Sequence, residues 1–534
     1  MEIISTTRLN AAKNSMHHTF VAWLLLISMV ILVPILSACG GGGSSSDNGS
    51  GDVLIGLTDA KGDFATYTVD VVSLTLTKQN GQIVETLPLN TRVDFARYTD
   101  LTEFLTAATI PNGVYVKGTM TLDYSNADIQ VEDANGSAVP VGIIVDSNGD
   151  PLTQLVASVS LKGKNSLPVA PGIPASLTLD FDLNRSNTVV FDVNEVPTIT
   201  VTPLLVAEVN GKAPKRHRVR GPLKDVDVAN QRFSIFMHPF RNKITTGARH
   251  FGTLNVNVDS NTIYEINGDG YTGDAGLAEL ALQSAKTAMI ARGVIQFAPR
   301  RFVAREVYAG SSVPGGTLDV VHGSVMARNG DVLTVRGATL IRNDGSAQFN
   351  DTVTVLLDNS TIVRKQLSPD LFAISDISVG QRITVFGTAS VDNNNALTLD
   401  ATNGYARMLV SVVRGTVITV AHIPENPPQY PFVLDALTIN GRNVALYDFT
   451  GTGTDSANDT QANFYEVDNG TLDTSVFAPN TNVSVGGFVT PFASAPADFS
   501  AQTIVGPIAA IGILTPVDNS DSVSTAQVPE TPGS

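Results

Sequence analysis

The chain has 534 residues, more than one compact domain holds, and is 43% hydrophobic and 16% charged, with 45 glycines and 27 prolines. That apolar share excludes a globally disordered chain, and a formal charge of −16 excludes nucleic acid or an anionic membrane held by bulk electrostatics. A single cysteine excludes internal disulfides and cysteine-based zinc sites.

At the N-terminus, Arg8, Lys13, His17 and His18 precede an apolar run, Phe20 to Leu36, that leads into Leu36-Ser37-Ala38-Cys39 and four glycines. The run just reaches the length of a membrane-spanning helix, so an uncleaved anchor is one reading. The sole cysteine stands where lipidation needs it, which favours another. Leu-Ser-Ala-Cys resembles the lipobox of bacterial lipoproteins, in which the cysteine thiol receives diacylglycerol and becomes the mature N-terminus. The resemblance implies a signal peptide over 1–38, lipidation at Cys39, a Gly/Ser tether over 39–51 and a membrane held through the lipid. Loss of Glu2, Arg8 and Lys13 leaves the mature chain one unit more acidic. Gly40 follows the cysteine; in the Gram-negative lipoproteins it resembles, Asp there marks inner-membrane retention, so an outer-membrane lipoprotein is expected, its leaflet open.

The body reads as all-β. Asn-Gly, the strongest short hairpin signal, recurs along the chain, and Thr, Val and Ile dominate between the turns, as strands prefer. Hairpins are predicted at Asn80-Gly81 and Asn329-Gly330. Helical spacing occurs in two short places. Leu101, Phe104 and Leu105 predict a helix over Thr99–Ala108 stopped by Pro111, and Leu277, Leu280, Ala281 and Ala288 predict one over Asp274–Met289.

Residues 52–210 form a separate β-sandwich-like domain in this reading. They contain VLIGLTDAKGDF (53–64), VDFARYTDLTEFLTAATIPNGVY (93–115), LTLDFDLNRS (177–186) and ITVTPLLVAEV (199–209). These segments resemble an N-terminal domain of uncharacterised bacterial and archaeal lipoproteins that opens with a TDAP motif and is often followed by small OB-like domains of unknown function. Lys61 and Asn112 depart from the usual Pro and Ala. The resemblance supports architecture and place and carries no activity.

After a basic linker (211–217), three units open alike: Val219-Arg220-Gly221, Val321-His322-Gly323 and Val413-Arg414-Gly415. Each returns to a second glycine strand at Gly293, Gly387 and Gly487, then closes with one more strand. A period of about 95 residues is a small domain rather than a solenoid turn. Five strands with a helix before the fourth is the OB plan, so three small OB-like β-barrel repeats are expected over 218–313, 318–409 and 410–514. Helical turns before the fourth strand are read from Asp274 onward and at Pro369–Ala373, with no clear counterpart in the third unit. A disordered tail is expected over 515–534.

The chemistry-bearing patterns are few. Asp146, Asn148 and Asp150 alternate as an EF-hand loop begins, a calcium candidate. Pro151 and Ala157 stand where such a loop needs Gly and a bidentate Glu, so a hairpin turn is the simpler reading. The acidic stretches at Asp59 and Asp63 and over Asp448–Asp459 read alike, as exposed loops open to cations. Gly268-Asp269-Gly270-Tyr271-Thr272-Gly273 fits a dinucleotide fingerprint. Asp269 and Asp274 oppose a pyrophosphate there, and no acidic residue follows the next strand to hold a ribose, so no cofactor is expected. Asp180 and Asp182 have glycosidase-like spacing but read as a solvated strand face. His322 reads as a surface strand position. The basic run Lys212–Arg220 reads as a solvated linker, alternatively a clasp on anionic lipid.

No G-x-S-x-G, H-E-x-x-H or P-loop pattern occurs, so catalysis is not expected. Modular repeats without a catalytic constellation suit a lipid-anchored envelope protein that binds a glycan or an envelope protein. A structural or assembly role in the outer membrane is the alternative, and an extracytoplasmic hydrolase the third reading.

Overall fold

The computed structural model describes residues 49–58, 64–98, 101–133, 137–210, 216–243, 250–394, 396–420 and 431–506. The expected signal peptide, Cys39, most of the tether and the tail lie outside the described residues, as do Asp59, Asp63 and residues 211–215. Within them the chain is all-β, as its turn spacing and β-branched runs dictate.

The N-terminal domain packs two sheets face to face. In one, Ser50–Thr58 lies parallel to Ala175–Phe181 and antiparallel to Thr102–Pro111, with Leu205–Val209 on the outer edge. The other is built on the long pair Phe64–Lys78 and Gly113–Glu132, flanked by Thr91–Asp94 and Gln154–Ser160. Alternation sends Val69, Val71, Leu74 and Leu76 of one sheet and Ile55, Leu57, Leu177, Leu179 and Phe181 of the other into a common core. The hairpins at Asn80-Gly81 and Asn329-Gly330 are present.

The expected helix over Thr99–Ala108 is instead a strand, Thr102–Pro111. Its residues 102–106 are buried in succession, because both its faces are covered: Glu103 meets Arg218 and Arg220, and Phe104, next along the strand, packs on His217 and Phe302. Burial of both faces erases the two-residue period and leaves a pattern that imitates a helix.

Each repeat closes into a five-stranded barrel with the same connectivity. In barrel 1, His217–Asp227 pairs with Arg232–Phe236, which pairs with Thr253–Asn257. That third strand runs parallel to the fifth, Arg300–Ala309, and the fourth, Ala288–Phe297, closes the ring onto the first. Barrel 2 repeats the order with Asp319–Asn329, Val332–Ile341, Ala347–Leu356, Leu397–Leu409 and Arg382–Val391. Barrel 3 does so with Ser411–Val420, Pro431–Ile439, Tyr465–Asp468, Phe499–Val505 and Asn482–Val489. The order 1-2-3-5-4-1, with strands 3 and 5 parallel, is that of the OB plan.

The recurring fourth-strand glycine now has a physical cause. A Cβ at Gly293, Gly387 or Gly487 would lie 2.0, 2.3 or 2.1 Å from a carbonyl oxygen of the fifth strand. The pairing register shifts there in every barrel, a bulge that bends the sheet into closure. Between strands 3 and 4, barrel 1 carries a short hairpin and a helix, Gly273–Ala281, shorter than expected. Beyond it the chain turns through Ser284 and Thr287, and Met289 already pairs with Gly221 in strand 4. In barrel 2 the expected turn at 369–373 lies slightly later, as a 3-10 turn over Ile374–Asp376.

Candidate functional site

The V-x-G motif places its middle residue on the first strand of each barrel, and in barrel 1 that strand reaches back into the sandwich. His217 and Arg218 pair with Thr102 and Glu103. Arg220 Nε lies 2.7 Å from Glu103 Oε1, and Arg218 Nε contacts Oε2. His217 stacks on Phe104 with ring centroids 4.9 Å apart. Burial pushes the Glu103 carboxyl up, but the two arginines outweigh it and hold it below its usual range. The expectation of a solvated linker thus fails for 217–220. These residues are buried or nearly so because Glu103, itself fully buried, needs cationic partners.

Around this triad more arginines gather. Arg292 faces Arg218 across the first and fourth strands of barrel 1. Its guanidinium lies 3.8 Å from Glu306 and 5.5 Å from the Tyr308 ring centre, while its Nε is buried with no hydrogen-bond partner among the described residues. Arg218 sits over Tyr98, next in sequence to Arg97. From barrel 2, His322 is half-buried, with Nδ1 2.7 Å from Thr384 Oγ1. Arg382, exposed, pairs in register with Ser324 two residues along. Burial pushes the His322 imidazole well below its usual range. The charged groups that deepen this are Arg97, Arg292, Arg218 and Arg382. His322 is therefore half-buried on the first strand of barrel 2 rather than a fully exposed position.

The same seam continues between barrels 1 and 2. Arg407 makes a bidentate pair with Glu265 at 2.7 and 2.6 Å, donates to the Ser312 carbonyl and lies 4.1 Å from the Tyr308 ring centre. Gln366 donates to Glu306 at 3.0 Å and Tyr405 to the Ser311 carbonyl at 2.7 Å. Barrels 2 and 3 meet through Asn440, which donates to the Gly380 carbonyl and the Ser324 hydroxyl. Arg442 of barrel 3 pairs with Glu132 of the sandwich at 2.7 Å.

The other candidates resolve into structural roles. The glycine-rich segment 268–273 is a hairpin turn and helix entry pressed against barrel 2. Arg364 donates to the Gly268 carbonyl at 2.9 Å, and a Cβ on Gly270 would sit 2.0 Å from the Pro369 carbonyl oxygen. Asp146, Asn148 and Asp150 form a turn in which Asp146 Oδ1 accepts the backbone N–H of Asn148 and Asp150 at 2.8 and 3.0 Å. Those bonds lower its pKa. Among the described residues no group of three or more His, Cys, Asp or Glu converges on a metal position. Leu177, Leu179, Phe181 and Leu183 are buried as expected, but Asp182 is not on a solvated face. It is buried and accepts from Arg185 N at 3.0 Å, capping the short helix Leu183–Ser186.

No helix among the described residues is long and apolar enough to cross a membrane. Neither a curated protein nor a solved structure matches the chain. Residues 50–196 match the family described as Domain of unknown function (DUF4382), so a domain of that family covers most of the N-terminal sandwich.

Proposed function

We propose that this chain is a lipid-anchored protein of the bacterial cell envelope whose barrels form a non-catalytic binding array for a glycan or protein partner. The observation that carries the reading is the sole cysteine, Cys39, closing Leu-Ser-Ala-Cys after an apolar run and before a glycine tether. Three barrels of one connectivity support the binding role, because OB barrels offer strands 2 and 3 and the adjoining loops to extended ligands. In barrel 2 the outward face of the third strand carries exposed Gln348 and Thr352 with half-buried Asn350 between them, a polar surface. The buried joints between modules equally favour a structural spacer, which is the second reading.

Protease shaving of intact cells, read by mass spectrometry for peptides of 52–506, is the test. Release with periplasmic controls intact supports surface display, and a polysaccharide pull-down then separates binding array from spacer. Protection until the outer membrane is opened would contradict surface adhesion and direct the search to envelope partners.

A further inference from the structure

Four turns crowd around Gly49, the point where the chain enters the sandwich. The Gly49 carbonyl accepts the Asn112 N–H at 2.8 Å, in the turn between Thr102–Pro111 and Gly113–Glu132. A Cβ on Gly49 would lie 3.1 Å from Pro171 Cγ, and one on Gly51 2.5 Å from the Ala170 carbonyl oxygen, both in the turn 170–174. The Asn80-Gly81 hairpin joins them through Gln79, whose N–H donates to the Val114 carbonyl at 2.9 Å. Arg300 donates to the Pro174 carbonyl and brings in the tip of the hairpin between the fourth and fifth strands of barrel 1. These turns hold large apolar side chains out to solvent: Ile83 is 67% exposed, Ile173 64%, and Val114 and Phe297 39% each. Cations stand among them. Lys78 Nζ lies 5.8 Å from the Tyr115 ring centre, the Arg300 guanidinium 5.9 Å from that of Phe297, and Arg301 is exposed. Asp52 and Glu85, on the adjoining strand ends, accept from Thr109 Oγ1 and Ser73 Oγ at 2.7 and 2.9 Å.

We propose that this end of the sandwich, with the barrel 1 hairpin tip, docks on a lipid bilayer. Ile83, Ile173 and Phe297 enter the boundary between headgroups and acyl chains, and Lys78 and Arg301 meet headgroup phosphates. Exposed apolar tips flanked by cations are what an interfacial surface requires. The proposal rests on the Cys39 anchor argued above. Gly49 stands ten residues beyond Cys39, a length of chain that spans at most about 36 Å, so a lipid on Cys39 keeps this end of the sandwich close to the bilayer. Local apolar contact drives the docking, which an acidic chain as a whole does not oppose at short range. Barrel 3, tied through Arg442 to Glu132 at the other end of the strand that starts at Gly113, is then held away from the lipid.

The test uses residues 39–534, which contain no tryptophan because Trp23 is the only one in the chain. The single thiol of Cys39 is coupled to a maleimide lipid in phosphatidylcholine–phosphatidylglycerol vesicles with brominated acyl chains. This chemical link makes the outcome independent of whether the cell lipidates Cys39, which the mass of the native N-terminus decides separately. The tryptophan of Ile173→Trp and of Phe297→Trp should shift to the blue and lose about half or more of its emission to the bromines, and adding Ile83→Asp should reduce both effects. Val193→Trp is the control. Val193 is 99% exposed but stands on the hairpin whose Pro197 carbonyl accepts from Gly142, beside Ile129 near the Glu132 end of the long strand, so its emission should stay unshifted. Unshifted and unquenched emission from Ile173→Trp and Phe297→Trp, or quenching no greater than that of Val193→Trp, overturns the proposal.

Discussion

Glu103 Oε1 and Arg220 Nε lie 2.7 Å apart, with the two side chains 0% and 7% exposed, across the boundary between the sandwich and barrel 1. A pair sealed from water in this way is costly to break, because removing one partner strands the other as an unpaired buried charge. Glu103→Ala should therefore destabilise the chain by about 3–5 kcal/mol, measured by urea denaturation. Glu103→Leu combined with Arg218→Met and Arg220→Met should recover much of the loss. A single substitution within about 0.5 kcal/mol of the parent would show that the pair does not hold the boundary.

Barrel 1 and barrel 2 differ in how self-contained they are. The buried core of the sandwich runs without interruption into barrel 1, joining Phe104 to Phe302, Val219 and Ala291. Barrel 2 has its own core, with Phe488 of barrel 3 as the buried member from outside. A fragment over 318–409 should fold alone and melt cooperatively, whereas 218–313 alone should not. Circular dichroism melts of the two fragments check this.

Gly270 is a point of close approach between barrels 1 and 2. Gly270→Ala would drive a methyl group into the Pro369 carbonyl and should loosen the Arg364 and Arg407 contacts beside it. Limited proteolysis should then cut near residues 313–318 faster than in the parent. Gly330→Ala, at a turn with open space around it, should leave that rate unchanged.

In barrel 3, Asp498 is buried and accepts from Thr460 Oγ1 and the Glu466 backbone N–H at 2.7 and 2.8 Å. Burial raises its pKa to about 6, against the hydrogen bonds that lower it. A folded-state pKa above the unfolded value contributes stability that is fully present below about pH 3.8 and is lost as pH rises through about 6. The melting temperature of the parent relative to Asp498→Asn should therefore fall between pH 4 and pH 7. The difference corresponds to about 3 kcal/mol at most. A pH-independent difference would contradict the assignment.

Much of this architecture was legible because its signals are local. Asn-Gly turns mark hairpins by backbone conformation, and the two glycines of each repeat mark places where one strand crowds another, so the period appears in the sequence itself. The strand over 102–111 was not legible, since burial on both faces removed the alternation that identifies strands. The arginine junction was hidden for a different reason. Glu103 stands 115 residues from Arg218 and 117 from Arg220, and each looks like an ordinary surface residue of a strand. The one available signal was that the middle position of V-x-G holds Arg220, His322 and Arg414, basic or titratable residues repeated where an apolar strand would not need them.

The central claim, a lipid-anchored array, is tested most directly by intact mass spectrometry of the mature N-terminus purified from the native membrane. The account predicts a chain that begins at Cys39, lacks residues 1–38 and carries the added mass of a diacylglyceryl group, with Cys39→Ser abolishing both changes. A chain that retains residues 1–38, or an unmodified Cys39 thiol, would contradict it.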